Sequence, residues 1–177
     1  YLPGMVRTTE TGERDRIATA WNTSLDGFKD VDLKERMLGG DIKAALIFGE
    51  DPLAVAENQR YFDHLEFVML SDAFRTHSAA EADVILPAST FMEQDGTYTT
   101  CDRRVQSVKR ISTPRTGWTN WRLIAALGDR FGAGFHYDNA AELTGEMEQL
   151  NRLYTGTNAP FQLNGHTPSF SIFQTQV

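Results

Sequence analysis

Short apolar runs bounded by turn-forming residues set the frame of this chain. Residues 67–70 (FVML) and 84–86 (VIL) are uninterrupted apolar stretches, the length expected of strands covered on both faces in a parallel sheet. Ala44–Phe48 is a third such run, with Gly49, Glu50, Asp51 and Pro52 directly after it. Pro87 closes the run at 84–86 because it cannot donate to a ladder. Between and around these runs the spacing turns helical. A helix is expected over 13–21 with Ile17, Ala20 and Trp21 inward, and another over 31–38, stopped by Gly39 and Gly40. A third is expected from 53 to about 62. Thr76 is placed to cap a short crossover framed by Glu81 and Asp83.

Farther on, Gly96 and the threonines after it favour extension, and 104–111 alternates as an edge strand with Val105 inward. After a turn at 114–117, Thr119 is placed to cap a helix carrying Leu123, Ile124, Leu127 and Phe131, ending at Gly132. An amphipathic helix is expected over Ala140–Leu150, then a polar tail over 154–177. Strand–crossover–strand repetition predicts an α/β fold: a three-layer, mostly parallel sheet with helices on both faces. The domain reading is a helical arm over 1–40, an α/β body over 41–135, and a C-terminal helix with irregular tail over 136–177.

Composition narrows the function. With 177 residues, 41% of them hydrophobic, the chain can bury one sizeable core. A net charge of −7 argues against a nucleic-acid or anionic-membrane surface. The balance reverses locally at Arg103, Arg104, Lys109, Arg110, Arg115 and Arg122, which suits a solvated strand face, a phosphate-bearing ligand or an acidic partner. Cys101 is the only cysteine, so no internal disulfide can form, and a reducing compartment, the cytoplasm, is expected. It cannot complete an iron–sulfur or structural zinc site alone. No run approaches the ~20 apolar residues of a membrane helix, and no signal peptide is visible. A start at Tyr1 reads as a processed or excised piece of a larger protein.

Candidate chemistry gathers where the strands end, because open α/β sheets hold ligands at their carboxyl edge. Asp72 comes just after its strand there. Its carboxylate either starts a turn or takes two parallel N–H donors, such as the N1 and N2 edge of guanine. Strand, Gly49 and a helix opened by Pro52 is an anion-binding arrangement. Glu50 and Asp51 put negative charge in that place, so at least one of them is expected to meet sugar or base donors; Asp51 is also placed to cap the helix, which does not exclude a ligand contact. Asn120 falls in the first turn of a later helix, facing the same edge. Trp118 and Trp121 read as core or lid rather than ligand platforms. The histidines, at 64, 77, 136 and 166, are scattered singly.

FGEDP at 48–52, SDAF at 71–74, EADVILPASTFMEQDGTYT at 81–99 and DRRVQ at 102–106 together resemble the molybdopterin oxidoreductase family, and within it the catalytic subunits of formate dehydrogenases. The resemblance implies the later part of a dinucleotide-type α/β domain that holds a molybdopterin guanine dinucleotide carrying molybdenum or tungsten. Position by position, it implies Gly49, Glu50 and Asp51 at the guanosine end, Ser71 and Asp72 on ribose or base, and Ala88 and Asn120 beside the pterin or dinucleotide. The family pattern that the resemblance implies commonly has glutamine at Ser71, a hydroxyl at Ala88 and aspartate at Asn120, so this chain departs from it at those positions. The family's cysteine or selenocysteine metal ligand, its neighbouring histidine, the substrate arginine and the iron–sulfur cysteines belong to an earlier segment. No catalytic residue or metal ligand is therefore expected in this chain. Expected partners are the remainder of the catalytic subunit and electron-transfer subunits, with formate and CO2 as substrate and product. The competing reading is a non-catalytic scaffold like the large iron–sulfur subunit of respiratory NADH dehydrogenases. An unrelated nucleotide-binding module is disfavoured by the missing GxGxxG.

Overall fold

In the computed structural model, which describes residues 11–24, 32–99, 105–151 and 154–155, three parallel strands form the centre. β1 (Ala44–Phe48), β2 (Phe67–Asp72) and β3 (Val84–Pro87) lie in the order β1-β2-β3. The register pairs Ile47 with Leu70 and Leu70 with Ile85, then Asp72 with Pro87 at the tips. β2 has a neighbour on each side, and Val68, Met69, Leu70 and Ser71 are all buried. The α/β class with a parallel sheet agrees with the apolar runs.

One face of the sheet carries the core. Tyr61, Phe62 and Val68 pack together, and Met37, Ile47, Leu53, Leu65 and Ala82 close around them. Each such side chain taken fully from water contributes roughly 1.5–3 kcal/mol. Side chains alternate along a strand, so Leu46, Phe48, Phe67 and Val84 fall on the opposite face, where they stay 37–46% exposed. Ile85 is also exposed. The expectation of strands covered on both faces therefore holds for β2 alone: an apolar run reports the capacity for burial, not whether a layer is present to provide it.

The first crossover is tighter than expected, and the second is short as expected. The spacing over 53–62 predicts one helix; the chain instead forms two 3-10 turns, Pro52–Ala54 and Ala56–Tyr61. Val55 separates them in an extended conformation, and Asn58 Nδ2 donates to the Pro52 carbonyl. The second crossover is a 3-10 turn over His77–Ala80. Thr76, expected to cap it, makes no side-chain cap bond. Asp51 does this from the end of β1: Oδ1 accepts from Ser78 N–H at 2.8 Å and Ser78 Oγ–H at 2.7 Å, and Oδ2 from His77 N–H at 3.0 Å. Just before β3, Asp83 Oδ2 accepts from Val68 N–H, which fixes where the crossover rejoins the sheet.

α1 (Thr11–Ala20) and α2 (Leu33–Leu38) precede β1. Asp32 caps α2 by accepting from Lys34 and Glu35 N–H, and Gly40 at φ 75° lies just past its end. In α1 only Ile17 of the expected inward set is half-buried; Ala20 and Trp21 are exposed. The Trp21 indole reaches α4 (Ala140–Leu150) instead and donates to Glu146. The strand expected over 104–111 is β5 (Val105–Val108), and it pairs antiparallel with β4 (Gly96–Thr99) in a separate two-stranded sheet. α3 (Asn120–Arg130) is preceded by Thr119, whose hydroxyl, expected to cap, is buried without a partner. Ile124 and Phe131 on its apolar pattern are exposed. Cys101, Arg103 and Arg104, residues 1–10 and 25–31, His166 and the tail over 156–177 lie outside the described residues. Among the described residues no helix is long and apolar enough to cross a membrane.

Two side chains allow the stability of this frame to be measured. Leu70 is fully buried at the centre of β2, so Leu70→Ala is expected to cost about 2–5 kcal/mol in denaturant unfolding. The Ser78 hydroxyl, then the His77 side chain and the two backbone N–H groups, hold the Asp51 carboxyl well below its ordinary value against a smaller opposing effect of burial. A carboxyl depressed in the folded state stabilises above its unfolded pKa, about 4, and that contribution is lost as pH falls through the folded value. Asp51→Asn should lower the melting temperature at pH 7, and the gap to the wild type should narrow as pH drops below about 4 in a thermal scan series.

Candidate functional site at the carboxyl edge of the sheet

Parallel order puts the three strand ends on one edge. Gly49 N–H donates to the Ser71 carbonyl at 2.8 Å, and Ala88 N–H donates to the Asp72 carbonyl at 3.0 Å. Gly49, Asp72 and Ala88 therefore succeed one another across the edge. Gly49 has φ 63°, and a Cβ there would meet nothing within 4 Å. The backbone turn, not crowding, is what favours glycine. Glu50 beside it is exposed.

Asp72 does the turn-forming part of its two expected roles. Its Oδ1 accepts from Phe74 N–H at 2.7 Å, which folds the chain back after β2. Oδ2 takes no donor among the described residues, and Oδ1 keeps a second lone pair. Ser71, one residue earlier, is buried inside β2.

Asp51 is saturated. Besides the three bonds that close the crossover, Oδ2 lies 2.9 Å from His77 Nδ1. The expected cap on its own helix is not made, since its own 3-10 turn receives no side-chain bond from it; the carboxylate closes the later crossover instead. The anion-binding helix start expected after Gly49 is likewise absent, because Pro52 opens only a three-residue 3-10 turn.

Asn120 reaches the edge from α3. Its Oδ1 accepts from Ser89 N–H at 2.7 Å and its Nδ2 donates to the Ser89 carbonyl at 2.9 Å. Both polar ends of the amide thus hold the residue after Ala88. An aspartate could accept from Ser89 but could not donate to it, so the asparagine at 120 has a structural reason in this chain. Ser89 Oγ–H donates to the Trp118 carbonyl, and Thr116 Oγ1 donates to the same oxygen. The Trp118 indole, read as core or lid, is 53% exposed.

Two contributors are not among the residues expected from the sequence. Glu93 is buried; Oε2 accepts from Thr90 N–H and Oγ–H, and Oε1 from Arg115 N–H. These bonds, the Thr90 N–H foremost, hold its carboxyl below the usual range. It joins the loop after β3 to the loop before α3, and the Thr90-x-x-Glu93 capping box is a legible signal for it. His77 is the other. It is separated from Asp51 by a whole strand and loop, so no local pattern announces the pair.

Two grooves are lined by other residues than the strand tips. One of about 310 Å³ sits between β4 and α4, lined by Tyr98, Trp121, Leu143 and Met147 among others. The second, about 510 Å³, runs along α3 beside Trp118, Arg122, Phe135 and Tyr137. Burial, then the hydrogen bond to Glu146, pushes the Tyr137 hydroxyl up to about 12. Among the described residues no three His, Cys, Asp or Glu side chains are grouped to hold a metal.

Comparison with known proteins adds the family. Formate dehydrogenase H of Escherichia coli (strain K12) is 32% identical over 159 residues, which is 84% of this chain and 22% of that protein. The "Probable oxidoreductase YjgC" of Bacillus subtilis (strain 168) is 29% identical over 163 residues, 88% of this chain and 16% of that protein. The F420-dependent formate dehydrogenase 1 subunit alpha of Methanococcus maripaludis is 27% identical over 151 residues, 80% of this chain and 22% of that protein. The chain thus spans about a fifth or less of the length of these relatives. The molybdopterin oxidoreductase family profile matches residues 16–130, from α1 through α3 and so across the whole edge described above, and the chain belongs to that family.

Proposed function

We propose that this chain grips the guanosine end of a molybdopterin guanine dinucleotide in a formate dehydrogenase-like oxidoreductase. The observation that carries the reading is the placement of Asp72: at the tip of the central strand, anchored through one oxygen, with the other oxygen open. Guanine presents two adjacent N–H donors, and a carboxylate is the side chain that accepts both. Adenine offers no such pair. Gly49 and Ala88 flank Asp72 without bulk, so a flat base can approach the carboxylate from outside the edge.

The acceptor carboxylate of Asp72 fits the guanosine end, with Gly49, Glu50, Ser71 and Ala88 lining or backing it. Asp51 and Asn120 shape the edge, because their polar atoms already hold His77, Ser78 and Ser89. When bound, the cofactor supplies the molybdenum or tungsten centre at which formate is oxidised. This chain's share is binding and orientation. The metal ligand and the iron–sulfur clusters that carry electrons away belong, on this reading, to other parts of the catalytic subunit and its electron-transfer partners.

Thermal-shift titration of the chain with GDP and ADP checks the reading. GDP is expected to stabilise it more than ADP, and Asp72→Ala should weaken GDP about tenfold or more, the size of a lost hydrogen bond to a charged group. Equal response to both nucleotides, or none, favours the scaffold role resembling the NADH dehydrogenase subunit.

A further inference from the structure

Resting on that reading of the edge, we propose that His77 is its sugar-reading residue, accepting a ribose hydroxyl of the bound guanosine on Nε2. Asp51 fixes the ring. Its Oδ2 lies 2.9 Å from His77 Nδ1, and the same carboxylate takes His77 N–H, Ser78 N–H and Ser78 Oγ–H. A carboxylate only accepts, so the proton of the neutral imidazole sits on Nδ1. Nε2 then carries a lone pair pointing away from Asp51. The side chain is 75% exposed, whereas Asp51 behind it is 22% exposed.

Position and chemistry select the ligand group. His77 comes one short loop after Asp72 and is tied back to the end of β1, so it stands at the carboxyl edge. A rigidly held acceptor there matches a donor, and the donors on a nucleoside other than the base are its sugar hydroxyls. Two alternatives fail on the same geometry. Ser78 Oγ–H donates to Asp51 and Oγ accepts from Leu53 N–H, so serine, histidine and aspartate do not form a nucleophilic relay. No further His, Cys, Asp or Glu group among the described residues joins His77 into a metal site. The hydroxyl of Thr76, the residue before, is buried with no partner, a second polar atom in this loop that the chain itself leaves unmatched. Asp51 is thereby a positioning residue and His77 the contact.

The test compares GDP with 2′,3′-dideoxy-GDP by calorimetric titration of the full chain, with ADP as the base control. The wild type is expected to prefer GDP over the dideoxy compound by about threefold to tenfold, the value of one neutral hydrogen bond. His77→Phe should abolish that preference while keeping guanine over adenine. His77→Gln, whose amide oxygen can accept, should restore part of it. Guanine preference with equal affinity for GDP and dideoxy-GDP in the wild type overturns the assignment and leaves the guanosine reading standing. So does a ribose preference that survives in His77→Phe. Absence of any guanine preference in the wild type overturns both.

Discussion

The bond set around Asp51 is the constraint on which the edge depends. A parallel sheet needs its chain carried back from one strand end to the next strand start, and each crossover here is built from short 3-10 turns. Such turns leave backbone N–H groups without partners at their starts. The N–H groups of His77 and Ser78 are in that position, and Ser78 is fully buried. Asp51 supplies both acceptors, and the Ser78 hydroxyl passes the connection on to Leu53. One carboxylate therefore joins the end of β1, the turn after it and the β2–β3 crossover. With the tips of β1 and β2 held together in this way, Gly49 and Asp72 have a fixed relation to each other.

Asn120 and Glu93 solve the same problem on the other side of β2. Asn120 matches the donor and acceptor of Ser89 at once, and Glu93 closes the turn at Thr90 while holding Arg115. In an interior of low dielectric an unmatched N–H is costly. Polar residues near the edge are thus mostly engaged with backbone, and this sorts them. A side chain whose atoms are all matched builds the edge. One with an atom left open, as with Asp72 and His77, is available to a ligand.

This sorting also explains what is legible in the sequence. The three strands and their order of appearance can be read because apolar runs ended by Gly49, Asp72 and Pro87 leave few alternatives. Ala140–Leu150 is readable from its period, and the structure adds the cap from Asn139. The stretch over 53–62 misleads because its apolar spacing suits a helix, while Pro52, Val55 and the Asn58 side chain divide it, a competition that composition does not resolve. Thr76 and Thr119 are of a residue type that caps well. Both stand at the right backbone position, yet neither hydroxyl bonds to its turn. The location of the candidate site is legible, since strand ends mark it. The roles within it are not, because they depend on pairs such as Asp51 with His77 and Asn120 with Ser89 that only folding brings together.

The unevenly covered sheet fits the length of the relatives. β2 is dressed on both sides, but β1 and β3 leave Leu46, Phe48, Val84 and Ile85 exposed, and β3 is apolar at consecutive positions. An edge strand facing water is ordinarily polar on its open side. Alternation of that kind is missing from β3, whose composition is that of a strand inside a larger sheet. Relatives in which this region makes up 22% or 16% of the protein contain ample chain to supply such a layer. The carboxyl edge differs: its loops close on themselves through Asp51, Glu93 and Asn120, without needing an added layer. The geometry of the edge loops is therefore set by bonds within this chain, while Leu46, Phe48, Val84 and Ile85 remain exposed.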